Sequence, residues 1–92
     1  MTEREAWEYL LKQYQQDGAC AFMCNKVHSL FYANKISREV MLRMESRIDT
    51  IRGLIFTTDP QRVEYYYAFF ETNELGTLLR ITIIQYILEN MI

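Results

Sequence analysis

The stretch "ELGTLLRITIIQYILEN", residues 74–90, decides the fold because its apolar residues do not form a single stripe. At about 100° per residue, Leu75, Leu79 and Tyr86 share one side of a helix. Ile84 and Met91 fall on the opposite side. A helix that is apolar all round must be buried on most of its surface. The stretch therefore predicts an all-α bundle whose last helix runs from Glu74 to about Asn90.

Three earlier helices are predicted from their caps and stripes. Thr2 and Glu5 have the spacing of a capping box, and Asp17-Gly18 ends the helix that follows. A second helix runs from about Ala19 to Ala33, with Asn34 as its stop. Ser37 caps a third helix, which Gly53 closes. The predicted apolar stripes are Trp7, Leu10, Leu11 and Tyr14; Cys20, Met23, Cys24, Val27, Leu30 and Phe31; and Val40, Met41, Met44, Ile48 and Ile51.

The segment before the last helix is an aromatic linker of undetermined structure, residues 54–73. Residues 54–59 are expected to be a loop, and five of the six residues that follow Glu64 are aromatic. We therefore expect residues 1–92 to form a single domain of about four helices.

Three short helices can hardly surround a fourth that is apolar on every side, so two arrangements stay open. A second copy of the chain could cover the excess surface, which predicts a homodimer. Alternatively, the last helix is the centre of a compact bundle with the aromatic residues wrapped around it.

Composition excludes several classes of protein. Half of the 92 residues are hydrophobic and 24% are charged, which is typical of a globular chain. The net charge of −2 argues against a general nucleic-acid coat, and we expect no direct sequence-specific nucleic-acid binding. Charged residues at 3–5 argue against a signal peptide, and no apolar run reaches the roughly 20 residues of a membrane span. These features predict an intracellular protein without a membrane partner.

Cys20, Cys24 and His28 lie one turn apart on the second helix, and thiolates with imidazole are zinc ligands. One helix cannot supply a tetrahedral site, and the sequence holds no further Cys or His. Buried thiols and a histidine at the rim of the core are the favoured interpretation, so we expect no metal and no cofactor. A Cys24–His28 pair also lacks an oxyanion hole, and the glycines are scattered, so we expect no enzyme.

The aromatic linker is best explained by rings that partly seal the bundle and partly meet a partner, since tyrosine is enriched at interfaces. The predicted partner-binding residues are Tyr65, Tyr66, Tyr67, Phe70, Ile84 and Met91.

Charge along the chain suggests a second kind of site. Residues 19–53 carry six basic and three acidic side chains, a net charge of +3, whereas the segments on either side are acidic. Internal charge balance explains this, and so does a basic face for an anionic nucleotide. The residues predicted for that ligand are Arg38, Arg43, Arg47, Arg62 and Tyr66.

The order "DGACAFMCNKVHSLFYANKIS", "YYY" and "RITIIQYIL" resembles a family of small phage-encoded proteins. The matching positions are Gly18, Cys20, Ile36, Ser37, Tyr65 to Tyr67, Arg80, Ile83, Ile84, Ile87 and Leu88. Ala19 stands where the family has Leu, and Ala68-Phe69 stands where it has Trp-Pro.

That family has no assigned activity. Because its members are phage-encoded, the resemblance implies a viral origin and a place in the cytoplasm of an infected bacterium. Small non-enzymatic phage proteins commonly block host components. The resemblance therefore favours an accessory protein that binds and inhibits a host protein or complex, such as an anti-CRISPR or another anti-defence factor. The alternative is an oligomeric helical sponge that sequesters an anionic nucleotide signal.

Overall fold

The computed structural model describes residues 1–17, 23–56 and 74–91, with the backbone alone described at 17, 52–56, 74–77 and 79. Its helices are α1 (Glu3–Asp17), α2 (Met23–Tyr32), α3 (Arg38–Phe56) and α4 (Glu74–Glu89). These ranges contain no strand, so the prediction of a small all-α bundle is confirmed. The predicted start of α2 at Ala19 and the linker over 57–73 lie outside the described residues.

The predicted helix starts are present in atomic detail. The Thr2 N–H donates to Glu5 Oε1 at 2.9 Å, and the Glu5 N–H donates to Thr2 Oγ1 at 3.1 Å. This reciprocal pair is the capping box, and it satisfies donors that the first turn of a helix leaves open. At α3, the Val40 N–H donates to Ser37 Oγ at 3.2 Å, so Ser37 is the predicted cap.

Asn34 ends α2 as predicted, because it adopts the left-handed conformation with φ of 59°. Its N–H donates to the Phe31 carbonyl, and the Lys35 N–H donates to the Leu30 carbonyl, both at 2.9 Å. These two bonds form a Schellman motif, which satisfies carbonyls at the end of the helix. The short connection to Ser37 then reverses the chain and lays α3 against α2.

The predicted end of α3 at Gly53 is wrong, since the helix continues to Phe56. A glycine inside a helix costs only about 1 kcal/mol relative to alanine, and a helix of 19 residues can carry that cost. Residues 54–56 are therefore helical rather than the start of a loop.

The core forms where α1 packs against α4 and α2 packs against α3, with a smaller contact between α1 and α3. Buried residues of the first three helices follow the predicted stripes, with Leu11, Cys24, Phe31, Met41 and Ile51 partly buried at the edges. The buried hydrophobic residues are Ala6, Trp7, Leu10, Tyr14, Met23, Val27, Leu30, Ile36, Val40, Met44, Ile48, Ile83, Ile84 and Ile87.

The predicted orientation of the last helix is wrong. Ile84, assigned to a partner interface, has an exposed fraction of 0% and lies in the core beside Ile83 and Ile87. Tyr86, assigned to the opposite side, is 53% exposed. The argument for a homodimer loses Ile84, and among the described side chains of α4 the large exposed hydrophobic residues are Leu78 and Tyr86.

Two arginines lie where α4 meets the rest of the bundle. Arg80 has an exposed fraction of 0% and lies on the same side of α4 as Ile84. Arg4 Nη2, on α1, donates to the carbonyl of Met91 at 2.9 Å and to that of Leu88 at 3.4 Å. A cation at the C-terminal end of a helix satisfies open carbonyls and complements the helix dipole, so Arg4 fixes the end of α4 against the start of α1.

The capping box at the start of α1 gives a test of stability. Thr2→Ala should lower the free energy of unfolding by about 0.5–2 kcal/mol, because the first turn loses its side-chain acceptor. Hydrogen bonds from the backbone and side chain of Thr2 lower the pKa of Glu5 below its ordinary value of 4.5. The contribution of the ionised carboxylate is thus present above pH 4.5 and is lost as the pH falls through the lower folded-state pKa.

Urea unfolding of Glu5→Gln and wild type, followed at neutral and acid pH, measures that contribution. The difference between the two proteins should shrink on acidification. Glu8→Gln, an exposed glutamate one turn further along α1, is the matched control. A wild-type advantage over Glu5→Gln that grows toward acid pH would contradict the assignment.

Candidate binding surface

One side of α4 is turned away from the core and is less polar than its sequence suggests. Leu78, Thr82, Tyr86 and Asn90 follow one another at intervals of four residues, and all four are exposed. Thr82 Oγ1 donates to the Leu78 carbonyl at 3.0 Å, and Asn90 Nδ2 donates to the Tyr86 carbonyl at 2.8 Å. Because these polar groups donate back to their own helix, the surface around Leu78 and Tyr86 keeps an apolar character.

A groove of about 420 Å³ lies between α3 and the C-terminal end of α4. Ile51 and Ile87 form its more deeply buried part. The remaining lining residues are Arg43, Ser46, Arg47 and Thr50 from α3, and Tyr86 and Asn90 from the end of α4. We call this feature the α3–α4 groove.

The two arginines of the α3–α4 groove share one carboxylate from α1. Arg47 Nε donates to Glu3 Oε2 at 2.5 Å, and Arg43 Nε lies 3.4 Å from Glu3 Oε1. Trp7 Nε1 also donates to Glu3 Oε2, at 3.0 Å, and both Glu3 and Trp7 are buried. The carboxylate at the first turn of α1 is further favoured by the helix dipole.

The electrostatic result is a groove with excess positive charge. Two guanidinium groups face one carboxylate, and none of the eight described residues that line the groove is acidic. The Arg43 and Arg47 side chains are 58% and 41% exposed, whereas that of Glu3 is 8% exposed. The groove therefore offers solvent one net positive charge beside an apolar floor.

The structure brings together only part of the predicted nucleotide site. Arg43 and Arg47 lie in the α3–α4 groove, whereas Arg38, the exposed first residue of α3, does not line it. Arg62 and Tyr66 lie outside the described residues.

Four of the six predicted partner-binding residues, Tyr65, Tyr66, Tyr67 and Phe70, lie outside the described residues. Met91 is partly buried and packs against the core, and Ile84 lies inside it.

Two residues of this region, Glu3 and Tyr86, are not among those predicted from the sequence. For Tyr86 a signal exists: Thr82, Gln85, Glu89 and Asn90 cluster on one arc of α4 and mark its exposed side. Tyr86 lies within that arc, which becomes visible when the polar positions, rather than the apolar ones, are placed around the helix. For Glu3 the sequence holds no such signal, since its arginine partner is 44 residues away.

His28 and Glu45 form a contact that joins α2 to α3, with side chains that are 44% and 27% exposed. Neither residue lines the α3–α4 groove. Cys24 packs partly buried against the core, and Cys20 lies outside the described residues. In the described ranges, no three His, Cys, Asp or Glu side chains are grouped as metal ligands.

A smaller groove, of about 240 Å³, lies between α1 and α2. Its two lysines already contact neighbours: Lys26 Nζ donates to Gln13 Oε1 at 3.4 Å, and Lys35 Nζ lies 5.5 Å from the Tyr9 ring centre. Neither contact neutralises a lysine, so both charges remain. This groove differs from the α3–α4 groove in that its described lining holds no guanidinium group, the group that pairs with a carboxylate through two parallel hydrogen bonds.

Within the described part of the chain, no helix combines the length and the apolar character needed to cross a bilayer. Compared with family models, with curated proteins and with solved structures, the chain matches none.

Proposed function

We propose that this chain is a non-enzymatic binding protein that inhibits a partner by protein–protein interaction. The observation that carries the proposal is the α3–α4 groove, where exposed Tyr86 stands opposite Arg43 and Arg47. Tyrosine and arginine are enriched among the few residues that supply most of the energy of protein interfaces. The apolar floor beneath them offers a pocket for an anchoring side chain.

The nature of the partner comes from the resemblance to small phage proteins. A phage-encoded accessory protein acts in the cytoplasm of the infected bacterium, and its proposed target is a host defence complex, as for an anti-CRISPR or another anti-defence factor.

Self-association belongs to the same proposal, since a second copy could cover Leu78 and Tyr86 by two-fold symmetry. Sedimentation of the purified chain at micromolar concentration distinguishes a monomer from a dimer.

Tyr86→Ala should weaken target binding by about 2 kcal/mol or more, which is roughly thirtyfold in Kd. The matched control is Tyr32→Ala, because Tyr32 is 79% exposed and lies on α2, which contributes none of the described lining residues of the groove. Phage plating on bacteria that carry a defence system measures inhibition, and binding to the purified target measures affinity.

Wild type and Tyr32→Ala should restore plaque formation, and Tyr86→Ala should not. Equal loss in both tyrosine variants, or none in either, would show that the groove is not the inhibitory surface.

A second function is favoured by the same two arginines. Guanidinium groups bind phosphate, and a tyrosine can stack on a base, so Arg43, Arg47 and Tyr86 could hold a nucleotide signal. A thermal-shift screen against cyclic dinucleotides and trinucleotides tests this alternative. A ligand at 100 times its Kd stabilises the folded state by about 2.7 kcal/mol, which raises the melting temperature of a domain of this size by about 10–20 °C.

A further inference from the structure

Arg43 and Arg47 are held in place while most of their donors stay available. Each guanidinium carries five N–H donors, and Glu3 takes only the Nε side of each. Within the described part of the chain, the Nη atoms of both groups make no hydrogen bond. These atoms are the ones free to meet a ligand in the α3–α4 groove.

Glu3 also reduces the entropy that a ligand would otherwise lose by ordering two long side chains. Its carboxylate is fixed by the buried Trp7, and it holds Arg43 and Arg47 side by side, one helical turn apart. A site whose donors are ordered before binding loses less free energy on association. The arrangement is therefore suited to an acceptor that bridges two guanidinium groups.

We infer that the α3–α4 groove binds a carboxylate from an acidic segment of the partner protein, between Arg43 and Arg47. This inference rests on the proposed function and specifies the chemistry of its partner. The floor of Ile51 and Ile87, with Tyr86 beside it, accommodates an apolar side chain next to the carboxylate. The occupant is thus a segment in which an acidic residue neighbours a large apolar one.

The charge distribution favours a side-chain carboxylate over a polyphosphate. The groove carries one uncompensated positive charge, which a single carboxylate neutralises. The chain as a whole has a net charge of −2, so it repels a highly charged anion before contact. Among the described lining residues, Tyr86 is the only aromatic ring available for stacking.

The test is selection from a displayed library of short random peptides on the purified wild-type protein. Recovered peptides should be enriched in Asp or Glu next to an aromatic or branched aliphatic residue. The tightest of these, made synthetically, should bind Arg47→Gln at least about tenfold more weakly than wild type, because a charged hydrogen-bonded contact is lost.

Arg43→Gln should act in the same direction and provides a second variant if Arg47→Gln fails to fold, since Arg43 is more exposed and lies further from Glu3. The matched control is Arg38→Gln on the same helix, which should bind like wild type. Added salt should weaken binding of the peptide. Replacing the acidic residue of the peptide by its amide should abolish the difference in affinity between wild type and the two arginine variants.

A recovered pool without acidic residues would overturn the inference, as would acidic peptides whose affinity ignores both arginine substitutions. Displacement of the peptide by pyrophosphate or a cyclic dinucleotide at lower concentration would identify a phosphate site instead. If these results appear while target inhibition still depends on Tyr86, the proposed function stands and the assignment of a carboxylate fails.

Discussion

Ile84→Glu should unfold the chain at room temperature, whereas Leu78→Glu should leave it folded. Both positions lie on α4, six residues apart, and both receive the same charge. Ile84 is fully buried, and Leu78 is 56% exposed. Taking a carboxylate out of water into the core costs several kcal/mol even after relaxation, and the lost packing of the isoleucine adds to that cost. A domain of this size has about 5–15 kcal/mol of stability in total.

Far-UV circular dichroism and thermal melting decide the outcome. The Leu78 variant should keep the helical spectrum and melting temperature of wild type, because its side chain is already exposed. Ile84→Ala supplies a graded version of the first change and should cost about 2–5 kcal/mol. If Ile84→Glu remains helical and instead converts a dimer to a monomer, Ile84 lies at a subunit interface rather than in the core.

The helix boundaries that the sequence predicts correctly are those set by a few neighbouring residues. Thr2 and Glu5 bond to each other, Asn34 takes the left-handed conformation, and Ser37 accepts from the third residue after it. The hydrogen bonds of Thr2 and Ser37 reach a residue three positions away, and the conformation of Asn34 concerns its own backbone. Such interactions depend little on how the helices later pack, which is why the sequence suffices to predict them.

The errors arise where opposing preferences of many residues must be balanced against one another. Gly53 can end a helix, yet α3 continues for three more residues, because the cost of about 1 kcal/mol at one glycine does not by itself decide the boundary. On α4 the apolar residues cover both sides, so their positions alone cannot orient the helix. The polar residues Gln85 and Glu89 do orient it, since they cannot be buried without partners.

The residues of the candidate site likewise include some that the sequence can predict and some that it cannot. Arg43 and Arg47 could be predicted, because they are one turn apart on a helix whose apolar face is evident. Their shared acceptor could not be, because Glu3 belongs to another helix and no periodicity relates the two. The position of Tyr86 opposite them likewise depends on how α3 and α4 cross, which only the packed structure provides.

Trp7→Ala should lower the free energy of unfolding by about 3–5 kcal/mol, since it removes the largest fully buried side chain of the described core. Trp7→Phe separates packing from hydrogen bonding, because it keeps an aromatic ring and removes the Nε1 donor to Glu3. The carboxylate then loses one of its partners, so Trp7→Phe should cost about 1–3 kcal/mol. Urea unfolding of the single variants, of Glu3→Gln and of the double variant measures these differences.

The double variant connects the core to the α3–α4 groove. Trp7 and Glu3 act on one hydrogen bond, so the combined cost of Trp7→Phe and Glu3→Gln should fall short of the sum by about 0.5–3 kcal/mol. Glu3→Gln alone also removes the charge that holds Arg43 and Arg47 together, and should weaken an acidic ligand even though it makes the groove more positive. If Glu3→Gln instead strengthens binding of that ligand, the net charge of the groove matters more than the ordering of the two arginines. Glu3 then competes with the ligand rather than preparing its site.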